Sequence, residues 1–377
     1  MSAIHGNGKS FATNVRAKRV TLQDLDACGG RLRRGDLVSF PTETVYGLGC
    51  HALDELACRK VFAAKERPLT DPLIVHVNEE AKAQELWQAT ADSLEGRILA
   101  CLIHEFWPGP LTLVAKATSS VPSVLMAGTG FVACRSPSHP TARALIASAG
   151  VPIAAPSANK FGHVSPTCAD HVFDDLRYED VWIVEEDEPL QVGVESSVAK
   201  LEMQDKARGV LTVLRQGAIS VLDLQRCLRK ANIDSVQVRA NTSRSTSDEE
   251  ANVAPGQTVR HYSPNIPSFL VSKYCVESYM NDGNQSKLAD TVIVDYGETM
   301  LSWKEYCAAY RDLSSVADST KAAQAVFDTL RWAEQVEGAS RVLFPDLEVD
   351  DESDALILAV KDKLTRAASG VVLESLS

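Results

Sequence analysis

The sequence contains no apolar run of about 18 residues, so it predicts no membrane-spanning helix. It has no C-x-x-C spacing, and its nine cysteines are scattered and odd in number. That pattern argues against a zinc site or a disulfide framework and favours reduced thiols in a cytosolic-type compartment. Basic residues are not in excess either: the formal net charge of −12 argues against a broad nucleic-acid-binding surface, although it allows a local basic cleft.

The first 19 residues carry Lys9, Arg16, Lys18 and Arg19 and no acid, but they lack the apolar segment of a secretory signal. This composition fits either a weak organelle transit peptide or a disordered polar tail, and it favours the tail. We therefore expect a flexible tail over residues 1–14 and a cytoplasmic protein without membrane association.

At 377 residues, the chain is long enough for two globular domains. Over residues 15–220, strand-like and helix-like segments alternate irregularly, which predicts a mixed, twisted α/β sheet rather than a regular doubly wound sheet. Strands are expected at 36–40, 72–77, 111–116, 131–135, 151–156, 181–185, 196–201 and 210–214, and helices at 53–65, 79–89, 93–104 and 141–149.

A polar stretch without periodicity follows from residue 240 to 257, and it predicts a linker inside a helix-and-linker region spanning 221–264. Beyond it, strand and helix patterns alternate again over residues 265–377, which predicts a second, smaller parallel-sheet domain. Its expected strands are 268–271, 291–295 and 341–344, and its expected helices lie near 302–311, 321–335 and 353–368.

Two segments match nucleotide-binding motifs only in part. Gly47-Leu48-Gly49-Cys50-His51-Ala52 fits the dinucleotide pattern, but residues 41–46 separate it from the preceding strand and no strand-ending acid lies about 20 residues on. Gly8-Lys9-Ser10 lacks the first glycine of a phosphate-binding loop and has no strand before it. We expect neither motif to be functional.

Cations and hydroxyls after predicted strands are stronger candidates for an anion site. Lys65 and Arg67 end a helix and are followed by Pro68; as a pair they could bind phosphate or simply complement the helix C-terminus. Ser157 and Asn159 follow a strand of small residues, where ligands bind in α/β sheets and where ordinary turns also form. Arg135 ends a strand and could clamp a carboxylate or form a surface ion pair.

Three further clusters accompany these residues: Glu195-Ser196-Ser197 at the start of a strand, Arg215 at the end of one, and Arg260-His261-Tyr262-Ser263-Pro264 after the linker. The last cluster could equally be a packed interdomain hinge.

Taken together, these residues resemble a known family. Pro41-Thr42-Glu43-Thr44-Val45-Tyr46-Gly47-Leu48, Lys65-x-Arg67-Pro68, Ala155-Pro156-Ser157-Ala158-Asn159 and Glu195-Ser196-Ser197-Val198 resemble, in order and spacing, the motifs of the YrdC-like threonylcarbamoyl-AMP synthases. The resemblance covers about residues 15–220. Residues 254–377 look like the extra C-terminal domain of the longer members, with a similar linker motif at Ala254-Pro255-Gly256 and 260–264.

The resemblance implies a YrdC-type twisted α/β fold with a deep cleft and a Rossmann-like second domain. It implies the reaction of L-threonine, bicarbonate and ATP to threonylcarbamoyl-AMP, pyrophosphate and water, with Mg²⁺ carried mainly by the ATP phosphates. The product supports threonylcarbamoyladenosine formation next to the anticodon of tRNA, so a downstream tRNA-modifying transferase complex and weak RNA binding are implied as partners.

The resemblance also implies roles for individual residues. The expected catalytic tetrad is Lys65, Arg67, Ser157 and Asn159, which with Asp71, Ser165, Arg215 and His261 would bind ATP. Threonine would be bound by Thr44, His76, Arg135, Ala155 and Ser196. Asp71, Phe131 and Ser197 depart from the family pattern, in which asparagine, a small hydroxyl residue and threonine are usual.

Two rival interpretations remain open on the sequence. The first is a non-catalytic module that binds double-stranded RNA on the same concave surface, against which the negative charge and the absence of interleaved basic and aromatic residues weigh. The second is a carbamoyl-adenylate enzyme of hydrogenase maturation, but this chain has neither the acylphosphatase nor the zinc-finger modules of that class.

Overall fold

The computed structural model describes residues 14–241, 252–253, 262–279, 288–350 and 353–375. Two β-sheets organise this part of the chain, one of eleven strands and one of five. None of the helices in the described ranges is both long enough and apolar enough to cross a membrane.

The larger sheet is mixed, as the sequence predicted. Parallel and antiparallel pairs both occur along the order β1-β8-β2-β3-β7-β4-β6-β5-β9-β10-β11. The strands are β1 (Lys18–Val20), β2 (Leu37–Phe40), β3 (Gly47–His51), β4 (Ile74–His76), β5 (Leu111–Lys116), β6 (Phe131–Arg135), β7 (Ile153–Ala154), β8 (Val181–Val184), β9 (Ser197–Met203), β10 (Gly209–Arg215) and β11 (Val236–Ala240).

Helices cover this sheet and bury an apolar core against it. They are α1 (Leu25–Arg33), α2 (Glu55–Lys65), α3 (Glu80–Gln84), α4 (Leu94–Phe106), α5 (Pro140–Ala149), α6 (Ala169–Leu176) and α7 (Val221–Lys230). Helix α2 begins where the Asp54 carboxylate accepts from the backbone N–H groups of residues 56 and 57. It ends at Glu66, whose left-handed backbone (φ 56°) turns the chain so that Arg67 leaves the helix toward the sheet.

The smaller sheet is entirely parallel, in the order β14-β13-β15-β12-β16. Its strands are β12 (Ser268–Val271), β13 (Thr291–Asp295), β14 (Ala309–Asp312), β15 (Arg341–Pro345) and β16 (Val372–Leu373), with α8 (Lys273–Tyr279), α9 (Ser319–Glu334) and α10 (Ala355–Ala367) between them. The predicted parallel second domain is confirmed. The proposed boundaries at 220, 264 and 265 stay a prediction.

The predicted helix near residues 302–311 is wrong. A short 3₁₀ turn at Leu301–Trp303 precedes strand β14, which pairs with β13 at the edge of the sheet. Edge pairing of this kind is a tertiary effect that overrides the local pattern. The helix expected over 79–89 forms only as the short α3.

Seven of the described strands and α-helices were not predicted at all: β1, β3, β11, β16, α1, α6 and α8. In α1, Gly29 lowers helix propensity, and the structure gives the reason for the glycine, because a Cβ there would lie 2.4 Å from Ser148 Oγ on α5. In β3, a Cβ on Gly49 would lie 2.8 Å from the Phe40 ring. Gly29 therefore allows close packing between two helices and Gly49 close packing within the sheet. The rejection of the dinucleotide motif stays a prediction.

The two domains are docked by buried polar contacts. His163 Nδ1 lies 2.9 Å from Asp175 in the first domain, and its Nε2 lies 3.0 Å from Glu334 on α9. Arg331 on α9 pairs with Asp175 at 3.1 Å and donates to the carbonyl oxygen of Val164 at 2.5 Å. Because both domains contribute charged groups to these contacts, the interface between the domains is specific.

Candidate active site

A cavity lies where the β2–β3 connection meets the ends of β4, β6, β7 and β10. We call it the central cavity. Both domains form its wall, since Tyr262 precedes β12. It is lined by Thr42, Thr44, Val45, Gly47, Arg67, Ile74, His76, Arg135, Ala155, Pro156, Ser157, Glu195, Ser196, Arg215 and Tyr262.

On one side of the central cavity, Arg135 is held from three directions. Its guanidinium donates to Thr44 Oγ1 at 2.9 Å and to the carbonyl oxygen of Gly109 at 3.2 Å, and it pairs with Glu43 at 2.7 Å. Burial disfavours the charged form of Glu43, but the charge and hydrogen bond of Arg135 outweigh it, so the pKa of this carboxyl lies below its ordinary value. The result is a fixed cation whose charge is balanced by Glu43.

His76 adjoins Arg135, because β4 and β6 are parallel and these two residues are in register. Burial above all, and then the charge of Arg135, lowers the pKa of His76 to about 3. The imidazole is therefore neutral at physiological pH. Its Nδ1 is buried and has no hydrogen-bond partner within the described ranges, so it is open to a ligand's N–H or O–H.

The loop between β2 and β3 folds around the Thr42 hydroxyl. Thr42 Oγ1 donates to the Val45 carbonyl at 2.7 Å and accepts from the backbone N–H groups of Thr44 and Val45, each at 3.2 Å. It also lies 2.9 Å from Thr44 Oγ1. This local turn explains why hydroxyl residues precede the strand, and it fixes Thr44 against Arg135.

On the other side of the central cavity, two arginines face the same space. Arg67 donates to the carbonyl oxygens of Asp71 (2.9 Å) and Pro72 (2.8 Å) and pairs with the Asp71 carboxylate at 2.9 Å. Arg215 donates to the Ser196 carbonyl and to Ser196 Oγ, each at 3.0 Å. Burial lowers the pKa of Arg67, and the positive charge of Arg215 lowers it further. The negative charge of Asp71 raises it in part. Because the charge of Arg215 acts on Arg67, an anion between the two guanidiniums would stabilise both.

Lys65 and Asn159 do not line the central cavity, in contrast to Arg67 and Ser157. The Lys65 ammonium is buried and donates to the carbonyl oxygens of Ser157, at 2.6 Å, and of Asn159. Burial, more than the Arg67 charge, lowers its pKa well below the ordinary value. The Asn159 amide donates to the carbonyls of Lys160 (2.7 Å) and His163 (2.8 Å). Both side chains thus shape the loop that presents Ser157.

Of the other residues expected to bind ligands, Thr44, His76, Arg135, Ala155, Ser196 and Arg215 line the central cavity, whereas Asp71 and Ser165 lie behind it. Ser165 Oγ donates to Glu195 at 2.6 Å. Asp71 serves Arg67. His261 lies outside the described residues, as do Ala254-Pro255-Gly256 and Arg260.

Glu43, Glu195 and Tyr262 are among the residues at the site that were not identified from the sequence as ligand-binding. Each lies within a motif that the sequence singled out, but its partner comes from a distant segment. Glu43 pairs with Arg135, and Tyr262 packs on Phe327 of α9 with ring centroids 5.3 Å apart. Such long-range pairs leave no spacing signal in one sequence.

The described residues contain no cluster of three or more His, Cys, Asp or Glu side chains that could hold a metal ion. Asp71, one of the three departures from the family pattern, is paired with Arg67. Of the other two departures, Phe131 lies beneath Lys200 Nζ, 4.0 Å from its ring centroid, and Ser197 Oγ donates to the Ile219 carbonyl at 2.7 Å.

The fold and the cavity define a two-domain α/β protein with a cavity whose lining includes Arg67, Arg135 and Arg215. Family models agree along the chain: residues 31–217 match the Sua5, YciO and YrdC model, described as telomere recombination, and residues 219–369 match the one described as threonylcarbamoyl-AMP synthase, C-terminal domain. The chain belongs to the threonylcarbamoyl-AMP synthase family.

Individual relatives match over both domains. The chain is 33% identical to threonylcarbamoyl-AMP synthase of Bacillus subtilis over 91% of its own length and 92% of the relative's. It is 36% identical to the enzyme of that name from Pyrococcus abyssi over 68% and 70% of the two lengths. A solved structure of P. abyssi Sua5 complexed with L-threonine has a TM-score of 0.76 at 28% identity, covering 95% of this chain and 98% of that one.

Proposed function

We propose that this chain is an enzyme that makes L-threonylcarbamoyl-AMP from L-threonine, bicarbonate and ATP, releasing pyrophosphate and water. The observation that carries the proposal is the pairing of two unlike walls in one central cavity, a charge-balanced arginine clamp and a separate cationic wall. Relatives named threonylcarbamoyl-AMP synthase match both domains, which supports catalysis over binding of double-stranded RNA.

The clamp side is proposed to bind threonine. Arg135 would take the carboxylate, and the neutral His76 and the Thr44 hydroxyl would orient the amine and the side-chain hydroxyl. Ala155, which is 4% exposed, adds little bulk there, and Ser196 completes the wall. A side-chain hydroxyl that pairs with a buried polar group would let the site reject alanine or valine by about 10²-fold or more, because those analogues leave that group unpaired.

The opposite side is proposed to bind ATP. Arg67 and Arg215 would contact the phosphates and Ser157 the nucleotide, while Lys65, Asn159, Asp71 and Ser165 would hold these groups in place or rotate in when the nucleotide binds. Mg²⁺ would enter with the phosphates as part of the substrate. His261 is proposed to reach the nucleotide from the linker.

The chemistry then follows from position and charge. The threonine amine and bicarbonate form a carbamate, and a carbamate oxygen attacks the α-phosphorus as pyrophosphate leaves in line. Both reactants are anions, so fixed cations lower the barrier more than an acid–base pair would. No covalent intermediate with the protein is needed.

The product is proposed to supply threonylcarbamoyladenosine formation in tRNA, through a downstream transferase in the cytoplasm. Residues 15–220 would carry catalysis, 221–264 would tether the domains, and 265–377 would act as a lid or regulator. Pyrophosphate release measured with threonine, bicarbonate and ATP tests the proposal. The expected result is release that depends on threonine, and its absence from folded protein would contradict the proposed function.

A further inference from the structure

One lysine of the second domain is completely buried against the central cavity. Lys363, on α10, has a side chain that is 0% exposed, and its Nζ lies 3.6 Å from Glu195 and 3.2 Å from Asp362. The same Nζ lies 3.4 Å from the carbonyl oxygen of Gln216 and 5.0 Å from the centre of the Tyr262 ring. Glu195 and Tyr262 both line the central cavity, whereas Lys363 does not.

Lys363 thus contacts cavity residues from both domains. Glu195 comes from the segment before β9, and its other carboxylate oxygen accepts from Ser165 at 2.6 Å. Tyr262 adopts a left-handed backbone (φ 61°) that a bulky residue rarely takes, so contacts around its ring must hold it there. A cation over the ring is one such contact.

Packing alone does not explain why a charged side chain occupies this buried position. Burying an ammonium is costly unless it is paired, and an apolar residue would fill the same space at lower cost. A carboxylate in the wall of a cavity that receives anions would repel them unless a cation offsets it. Lys363 is placed to offset Glu195, while Arg366 pairs with Asp362 at 3.0 Å.

We propose that Lys363 is a positioning residue of the active site, through which the second domain holds Glu195 and Tyr262 in the geometry that ATP requires. The proposal rests on the function proposed above. It implies that Lys363 acts without touching substrate and that the second domain completes the site.

Lys363→Met tests this, with Lys361→Met as the matched control. Lys361 lies on the same helix, but its Nζ donates to the Leu347 carbonyl and lies 3.8 Å from Asp346, both within the second domain. In threonine-dependent pyrophosphate release, we expect Lys363→Met to lower kcat/KM for ATP by about tenfold or more and to leave the KM for threonine within about twofold. Lys361→Met should leave both constants within about twofold of wild type.

Adding Glu195→Gln separates positioning from general packing. If Lys363 acts by offsetting Glu195, the double variant Lys363→Met/Glu195→Gln should lose less activity than the product of the two single losses. Equal kinetics for Lys363→Met and Lys361→Met would overturn the proposal. A loss in the double variant that equals the product of the two single losses would overturn it as well. Should Lys363→Met not fold, Lys363→Arg replaces it: a lower kcat/KM at unchanged Tm supports the proposal, and unchanged kinetics overturns it. An inactive wild type would instead contradict the proposed function.

Discussion

The two sides of the central cavity use the same pairing of a buried arginine with a carboxylate, yet they differ in net charge. On the proposed threonine side, Arg135 is balanced by Glu43, and His76 is neutral. On the proposed nucleotide side, Arg67 is balanced by Asp71 and Glu195 by Lys363, but Arg215 donates only to the uncharged Ser196 among the described contacts and leaves a net positive charge. A neutral wall suits a zwitterionic amino acid and a positive wall suits a polyphosphate, so the difference supports the proposed assignment of the two ligands.

The largest effect is expected from Arg67→Ala. It removes a phosphate-facing cation and leaves Asp71 buried without Arg67, so we expect kcat/KM for ATP to fall on the order of 10³-fold. Steady-state pyrophosphate release measures the fall. Arg59→Ala is the control, since Arg59 sits on the surface of α2 and pairs only with Glu55 among the described residues. If the fall in activity were matched by a comparable fall in Tm, the role of Arg67 would be structural.

The reverse pattern is expected from Arg135→Ala. Loss of the carboxylate clamp should raise the threonine requirement by about 10²-fold and change the affinity for ATP by less than about threefold. Isothermal titration with each ligand separates the two affinities. If ATP binding weakened and threonine binding did not, the assignment of the two sides would be wrong.

Lys65→Met should have a smaller, mixed effect. Lys65 holds the carbonyls of residues 157 and 159 from behind the cavity wall. Its loss should loosen that loop, lowering kcat by roughly 10- to 30-fold and also lowering Tm, because two buried carbonyls lose their donor. Activity and melting are measured on the same preparation. A lower kcat at unchanged Tm would instead place the Lys65 ammonium on the nucleotide.

The smallest effect on activity is expected from His163→Gln, at the seam between the domains. Burial opposes protonation, but hydrogen bonds to Asp175 and Glu334 outweigh it and raise the pKa of His163 to about 9. Because the folded-state pKa of His163 is raised, its contribution to the free energy of unfolding is fully present below the unfolded-state pKa near 6.5. This contribution, roughly 3 kcal/mol, is lost as the pH rises through 9.

We therefore expect wild type to lose stability between about pH 7 and pH 10, and His163→Gln to show little of that loss. Denaturant unfolding across this range measures it. Activity at neutral pH should stay within about twofold of wild type, because His163 lies outside the central cavity. A parallel decline in both proteins would mean that His163 does not carry the pH dependence.

The sequence predicted well where local chemistry decides the outcome. The bounds of β5, β6, β12 and β13 agree with the structure, because short apolar runs end at Pro, Gly or charged residues. The glycine-rich strand β3 was not predicted, because its strand conformation comes from pairing with the neighbouring strands β2 and β7. For the site, the motifs located the cavity, but not the fact that Lys65 and Asn159 lie behind its wall.

The charge difference between the two sides is tested most directly by the salt dependence of binding to the unaltered protein. Titrations of ATP and of threonine between about 0.05 and 0.5 M salt should show ATP affinity falling steeply and threonine affinity changing by less than about twofold. A polyanion loses long-range attraction on screening, whereas a zwitterion in a neutral, buried site does not. Equally steep salt dependence for both ligands would contradict the account.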